Sequence, residues 1–170
     1  IVNDVTALTG DDNSMDVVAS AGVDVVLMHM QGEPQTMQAN PTYEDAPRDI
    51  CEYLAARISA CAEAGIAAHR IAVDPGIGFG KTLDPNLQII ARMDEFHGLG
   101  CAVVLGASRK SFIGKISGVD DARQRVSGSI ACALAARARG VQIYRVHDVA
   151  ETRQALDVWE AIEGVVKTID

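Results

Sequence analysis

An α/β fold with parallel strands is the class this sequence predicts. Three observations carry it. Short apolar runs recur five times, Ile71-Ala72-Val73 and Cys101-Ala102-Val103-Val104-Leu105 among them, greasy on both faces as doubly buried strands are. Segments of helical spacing separate the runs and supply the crossovers that parallel strands need. Polar residues collect just past the carboxyl ends of the runs, the rim where α/β sheets and barrels build ligand sites.

The elements follow in order. Ile1-Val2 reads as the end of a strand, with Asn3 and Asp4 at its exit; the chain opens as if cut into the middle of that strand. A cap signal at 10–14 precedes a short helix through Val18 to Ala21, stopped by Gly22. Val23 to Met28 is the next strand, exiting at His29-Met30-Gln31-Gly32, and 33–46 reads as a long polar loop. Pro47 suits the first position of a helix whose Ile50, Leu54, Ile58 and Cys61 share a face, with Gly65 as its stop. Strand 71–73 runs into Asp74, and Pro75 ends the ladder because it has no N–H to donate. Gly76, Gly78 and Gly80 then permit a tight turn close to a ligand.

Asp84-Pro85 reads as cap and first-turn proline of a helix running to about Gly98 through Leu87, Ile90, Ala91 and Met93. Strand 101–105 exits at Gly106-Ala107-Ser108-Arg109-Lys110, and a short helix and turn fill 111–121. Ala122 to Arg139 is an alanine-rich helix, stopped by Gly140, whose small residues suit close packing. Val141 to Tyr144 is the last strand, exiting at Arg145-Val146-His147. Asp148 reads as the cap of a final helix with Ala155, Val158, Trp159 and Ile162 on its inner face. Alternation alone leaves a doubly wound sheet and a (β/α)8 barrel both open. Five units would be a little over half of a barrel, which needs roughly 250 residues.

Composition narrows the partners. The chain of 170 residues is 48% hydrophobic, enough for one domain, 1–170, with its own core. A net charge of −8 argues against general binding of nucleic acid or anionic membranes, so any anion site must be a local cationic patch. No apolar run has the length of a membrane helix and no signal peptide is visible. Cys51, Cys61, Cys101 and Cys132 lack C-x-x-C spacing and read as packed thiols of a reducing compartment, hence the cytoplasm.

The strand exits hold the chemistry. Asp74, ending a buried strand beside three glycines, suits the donor edge of a guanidine-like heterocycle. Arg109, Lys110, Arg145 and His147 suit an anionic group, and arginine can also stack on a flat ring. His29 reads as a packed, hydrogen-bonded histidine, and Lys81 as a solvated loop charge. Gly76-x-Gly78-x-Gly80-Lys81 is neither a phosphate-binding P-loop, which would need glycine where Pro75 stands, nor a dinucleotide fingerprint. The inferred ligand is a flat nitrogen heterocycle carrying an anion.

Asn3-Asp4, Leu27-Met28-His29-Met30-Gln31-Gly32, Asp74-Pro75-Gly76-Ile77-Gly78-Phe79-Gly80-Lys81, Ser108-Arg109-Lys110-Ser111 and Arg145-Val146-His147-Asp148 together resemble the dihydropteroate synthase family. The resemblance implies a (β/α)8 barrel, present here as a partial barrel of about five units, the C-terminal portion without the first strands. It implies condensation of 6-hydroxymethyl-7,8-dihydropterin diphosphate with 4-aminobenzoate, releasing diphosphate. By that resemblance Asn3, Met28, Asp74, Gly106, Lys110 and Arg145 meet the pterin, Phe79 and Ser108 face the aminobenzoate, and Arg145 and His147 hold the diphosphate. Lys110, Arg145 and His147 are then the catalytic cations. It also implies Mg²⁺, with its ligand in the absent segment, and a homodimer. The alternatives are a methyltetrahydrofolate-type pterin-binding methyltransferase and a catalytically incomplete pterin-binding fragment.

Overall fold

The computed structural model describes residues 1–32, 37 and 41–166. Five strands, β1 (Val2–Asp4), β2 (Val25–Met28), β3 (Ile71–Asp74), β4 (Ala102–Leu105) and β5 (Ile143–Tyr144), form one parallel sheet in the order β1-β2-β3-β4-β5. Six α-helices connect and follow them: α1 (Ser14–Ala21), α2 (Ala46–Glu63), α3 (Leu83–Ala91), α4 (Ser111–Ser117), α5 (Val126–Arg137) and α6 (Val149–Val166). A doubly wound sheet reverses its strand order at a switch point. This order never reverses, and α2 packs on α3, α3 on α5 and α5 on α6 in sequence. That is barrel-type winding, left open as a sheet over the described residues.

Local signals place most of the ends. Gly22 takes a left-handed φ of 64° at the end of α1, where its N–H caps onto the Ala19 carbonyl. Asp45, not Pro47, sets the start of α2: its carboxylate accepts from the Arg48 N–H at 3.1 Å, and the helix opens at Ala46. Ile50, Leu54 and Cys61 are buried on its inner face as their spacing predicts.

Other boundaries differ from the expectation. The segment expected as one helix to Gly98 ends at Ala91 and continues as a 3-10 helix over Met93–Leu99. Its inward residues are Ile89, Ile90, Met93 and Phe96, while Leu87 is exposed. Its N-cap position is Thr82 rather than Asp84. The alanine-rich helix likewise starts at Val126, after a 3-10 turn over Ala122–Gln124. Its small residues act as expected, since a Cβ at Gly128 would run into the Ile113 side chain.

Two cores follow from strand alternation. Val25, Leu27, Ile71, Val73, Val103 and Leu105 face the helices and join the main core with Ile50, Leu54, Ile89 and Phe96. The opposite face is lined by Val26, Ala72 and Val104. Register extends that second face to the rim, because Asn3 pairs with Val26 and Met28 with Asp74. The face turned away from the helices is therefore the face that carries the site. The expected inner face of α6 is mostly outward: Val158 is 57% and Ile162 59% exposed, and both line an open apolar groove of about 570 Å³ against Ile130 and Leu134 of α5.

Candidate active site

Asp74 is the deepest charge among the described residues, with no exposed surface. Its Oδ1 accepts from the Gly76 N–H at 2.7 Å, and its Oδ2 accepts from Arg145 Nη2 at 2.8 Å. The same guanidinium donates through Nη1 to Asn3 Oδ1 at 2.9 Å. Residues from the first, middle and last strands thus meet in one hydrogen-bonded chain. Glycine is required beside it at position 76, and a second glycine, Gly106, lets the arginine lie close. At Gly76 (φ 72°) a Cβ would overlap the His29 carbonyl, and at Gly106 it would overlap the Arg145 guanidinium.

A cavity of about 270 Å³ opens over this chain and is lined by Asn3, Phe79, Gly106, Ser108, Lys110, Arg145 and His147. Seven of the nine residues to which the family resemblance assigns a role therefore surround one space. The other two, Met28 and Asp74, are paired in register and fully buried beside Gly76, with Met28 Cγ 3.3 Å from where a Gly76 Cβ would stand.

Phe79 and Lys110 form one wall. Lys110 Nζ sits 4.1 Å from the centroid of the Phe79 ring, a cation–π contact. Burial, then the nearby Arg145 charge, lowers the Lys110 pKa. On the far wall the Ser108 hydroxyl is 2.9 Å from His147 Nδ1 and accepts from the His147 N–H at 3.2 Å.

Two expectations about charge are corrected here. Lys81 is not a solvated loop charge: it is 3% exposed. Its ammonium donates to the Phe79 carbonyl at 2.9 Å and to the His29 carbonyl at 3.4 Å, and its Nζ lies 3.0 Å from His29 Nδ1. Burial pushes its pKa down to about 7 against the opposing pull of Asp74, with Lys110 adding to the fall. His29 is the packed histidine the sequence suggests, edge-on to Tyr53 at 5.0 Å. Burial, then the Lys81 charge, lowers its pKa to about 3. Tyr43 completes the cluster by donating to the Gly80 carbonyl at 2.8 Å. The second correction is Arg109, whose guanidinium does not face the cavity. It is bidentate on Asp148, with Nε to Oδ2 at 3.0 Å and Nη2 to Oδ1. The Asp148 carboxylate is thus committed to Arg109 and not to the start of α6.

Asn86 is a residue the sequence reading passed over. It is buried, its Oδ1 accepts from the Gly78 N–H at 2.7 Å, and its Nδ2 donates to the Thr82 carbonyl at 2.7 Å, so it fixes the glycine turn from below. Its place beside the Asp84-Pro85 pair was the only available signal.

Fold and rim together define an α/β protein with a pocket at the carboxyl edge of its parallel sheet, built on one buried carboxylate and several basic side chains. Residues 1–147 match the pterin binding enzyme family, and the chain belongs to that family. It is 48% identical over 166 residues to a dihydropteroate synthase of Neisseria meningitidis serogroup B, covering 95% of this chain and 58% of that protein. It is 44% identical over 161 residues to the dihydropteroate synthase of Escherichia coli K12, covering 95% and 56%. The Yersinia pestis dihydropteroate synthase, solved with a sulfonamide drug, superposes with a TM-score of 0.92 at 42% identity, covering 95% of this chain and 58% of that one. The Xanthomonas albilineans enzyme in complex with 7,8-dihydropteroate superposes with a TM-score of 0.88 at 42% identity, covering 95% and 60%. The chain thus spans under two thirds of the length of these relatives.

Proposed function

We propose that this chain provides the pterin site of a dihydropteroate synthase, joining 6-hydroxymethyl-7,8-dihydropterin diphosphate to 4-aminobenzoate. The observation that carries the reading is the docking of Arg145 on Asp74 and Asn3. A guanidinium offers a planar row of N–H donors, and the amino-pyrimidinone edge of a pterin offers the same row. In this reading the pterin takes those acceptors, with Met28 below and Gly106 leaving room for the ring. Arg145, displaced, stacks on the ring and turns with His147 to the diphosphate. Lys110 reaches the pterin's carbonyl side, and Phe79 and Ser108 flank the aminobenzoate.

The chemistry needs little base assistance. The arylamine lone pair forms the new C–N bond at the pterin methylene as the C–O bond to diphosphate breaks, and the amine proton leaves to solvent. Charge grows on the departing oxygen, so preorganised donors at Lys110, Arg145 and His147 lower the barrier. Magnesium enters this reading as an ion carried on the diphosphate. The described residues present no cluster of three His, Cys, Asp or Glu side chains, and both Asp74 oxygens are engaged, so no step is assigned to the metal. No described helix is long and apolar enough to cross a membrane. A cytoplasmic homodimer, associating through the exposed apolar groove of α5 and α6, completes the proposal.

Titration calorimetry with 6-hydroxymethylpterin tests it. The chain binds, and Asp74→Ala weakens binding on the order of 100-fold, the loss of two hydrogen bonds to a charged acceptor. Unchanged affinity in that variant refutes the assignment. Supplying both substrates to the chain then separates a turning-over enzyme from a pterin-binding module.

A further inference from the structure

Arg109 is one of three non-glycine residues with a left-handed backbone among the described residues, with Ala7 and Leu8, and of the three it alone lies in the 106–110 loop, between Ser108 and Lys110. Its φ is 58°, a left-handed conformation that is unfavourable for a residue with a Cβ and that glycine adopts freely. Local turn geometry alone would select glycine here. The arginine is held through its backbone and its side chain instead. Its N–H donates to Ser129 Oγ at 2.9 Å and its carbonyl accepts from Arg125 Nη1 at 3.0 Å, which seats the 106–110 loop on the start of α5. Its guanidinium reaches across to the bidentate Asp148, 39 residues on, in the loop after β5. Asp148 is only 12% exposed, so this pair is partly withdrawn from water and shielded from screening.

The two loops it joins are those that carry the cations. Ser108 and Lys110 flank Arg109 in sequence, and Arg145 and His147 precede Asp148. Alongside the pair runs the Ser108–His147 contact at 2.9 Å, which orients the imidazole.

We propose that Arg109 and Asp148 form a strut between the 106–110 and 145–148 loops, making both positioning residues that hold His147 and Lys110 at the spacing an anionic group requires. The strut rests on the reading of Arg145 and His147 as the diphosphate receptor. It also opposes the simplest use of an arginine in such a motif, as a direct anion ligand. Geometry favours the strut, because the Nε–Nη2 edge of Arg109, the edge that binds an anion in bidentate fashion, is already committed to a carboxylate.

The test is calorimetric titration of the chain with inorganic diphosphate at fixed ionic strength, comparing wild type, Arg109→Gly, Arg109→Lys and Asp148→Asn. A strut predicts that Asp148→Asn weakens diphosphate binding about tenfold, although it removes a negative charge. A direct ligand predicts the reverse, tighter binding from a liberated guanidinium, and that result overturns the proposal. Arg109→Gly relieves the backbone strain, so its melting temperature holds or rises while its diphosphate affinity falls by the same factor as in Asp148→Asn. Arg109→Lys recovers less than half of the loss, since an ammonium cannot bridge two carboxylate oxygens in one plane. Equal affinity across all four proteins also overturns the strut. Absence of diphosphate binding by the wild type overturns the receptor reading first, and the strut with it.

Discussion

Replacing Lys81 with methionine should flatten the pH dependence of stability just above neutrality. An unfolded lysine titrates near 10.5, whereas the buried amine of the folded chain titrates at about 7. Between pH 7 and 8.5 the unfolded state keeps its proton and the folded state gives its proton up. The unfolded state binds more protons throughout this window, so stability rises with pH. Integrating that difference gives a gain of about 1.6 kcal/mol for the wild type across the window. Methionine has no proton to exchange and removes this gain. The Phe79 and His29 carbonyls also lose a donor, which shifts the whole curve down by about 1–3 kcal/mol, but only the slope tests the argument. His29, lowered to about 3, stays neutral in both proteins over this range and does not contribute to the difference. The assay is urea unfolding at several pH values within the window, comparing midpoints at constant m. If Lys81→Met gains as much stability as wild type from pH 7 to 8.5, Lys81 is an ordinary charged lysine and the reasoning fails.

Gly76→Ala combines a left-handed φ of 72° with a Cβ that overlaps the His29 carbonyl, so it should cost about 2 kcal/mol or more in chemical denaturation; a loss under about 0.5 kcal/mol contradicts the close approach. Phe96→Ala empties a fully buried site in the main core and should lower stability by about 3–5 kcal/mol, whereas Val158→Ala on the outer side of α6 should change it by less than about 0.5 kcal/mol in the monomer. Native-state labelling with an aromatic disulfide at pH 7 should be slow at all four cysteines. Burial raises each thiol pKa, Cys51 and Cys132 to about 11, and rapid reaction of any one in the folded chain would contradict that.

Local signals and strand exits were legible in the sequence because they depend on neighbours close in the chain. An apolar run ending in Asp74, or a left-handed glycine closing α1, carries its own cause. The co-location of Asn3, Asp74 and Arg145 was legible too, since five parallel strands must place their carboxyl ends on one side. Misreadings gathered where a partner lies far along the chain. Lys81 looked solvated because nothing local announces the imidazole of His29, 52 residues earlier, or the Tyr43 ring 5.9 Å from its Nζ. Arg109 looked like an anion ligand, and Asp148 like a helix cap, because each is chemically suited to those roles until the other is placed beside it. The apolar stripe of α6 was read as inward because periodicity reports that a face is greasy, not what covers it.

The contact between Asn3 and Arg145 spans 142 residues. Nothing shorter than the whole described sheet can bring the two together, so the pocket is complete only when both edge strands are in place. Loop closure over such distances is slow, and contacts of this range dominate folding time. A ligand that needs Asn3, Asp74 and Arg145 together therefore cannot template early folding. It recognises only finished molecules and stabilises them by mass action, which makes its binding a direct count of correctly folded chains in any preparation.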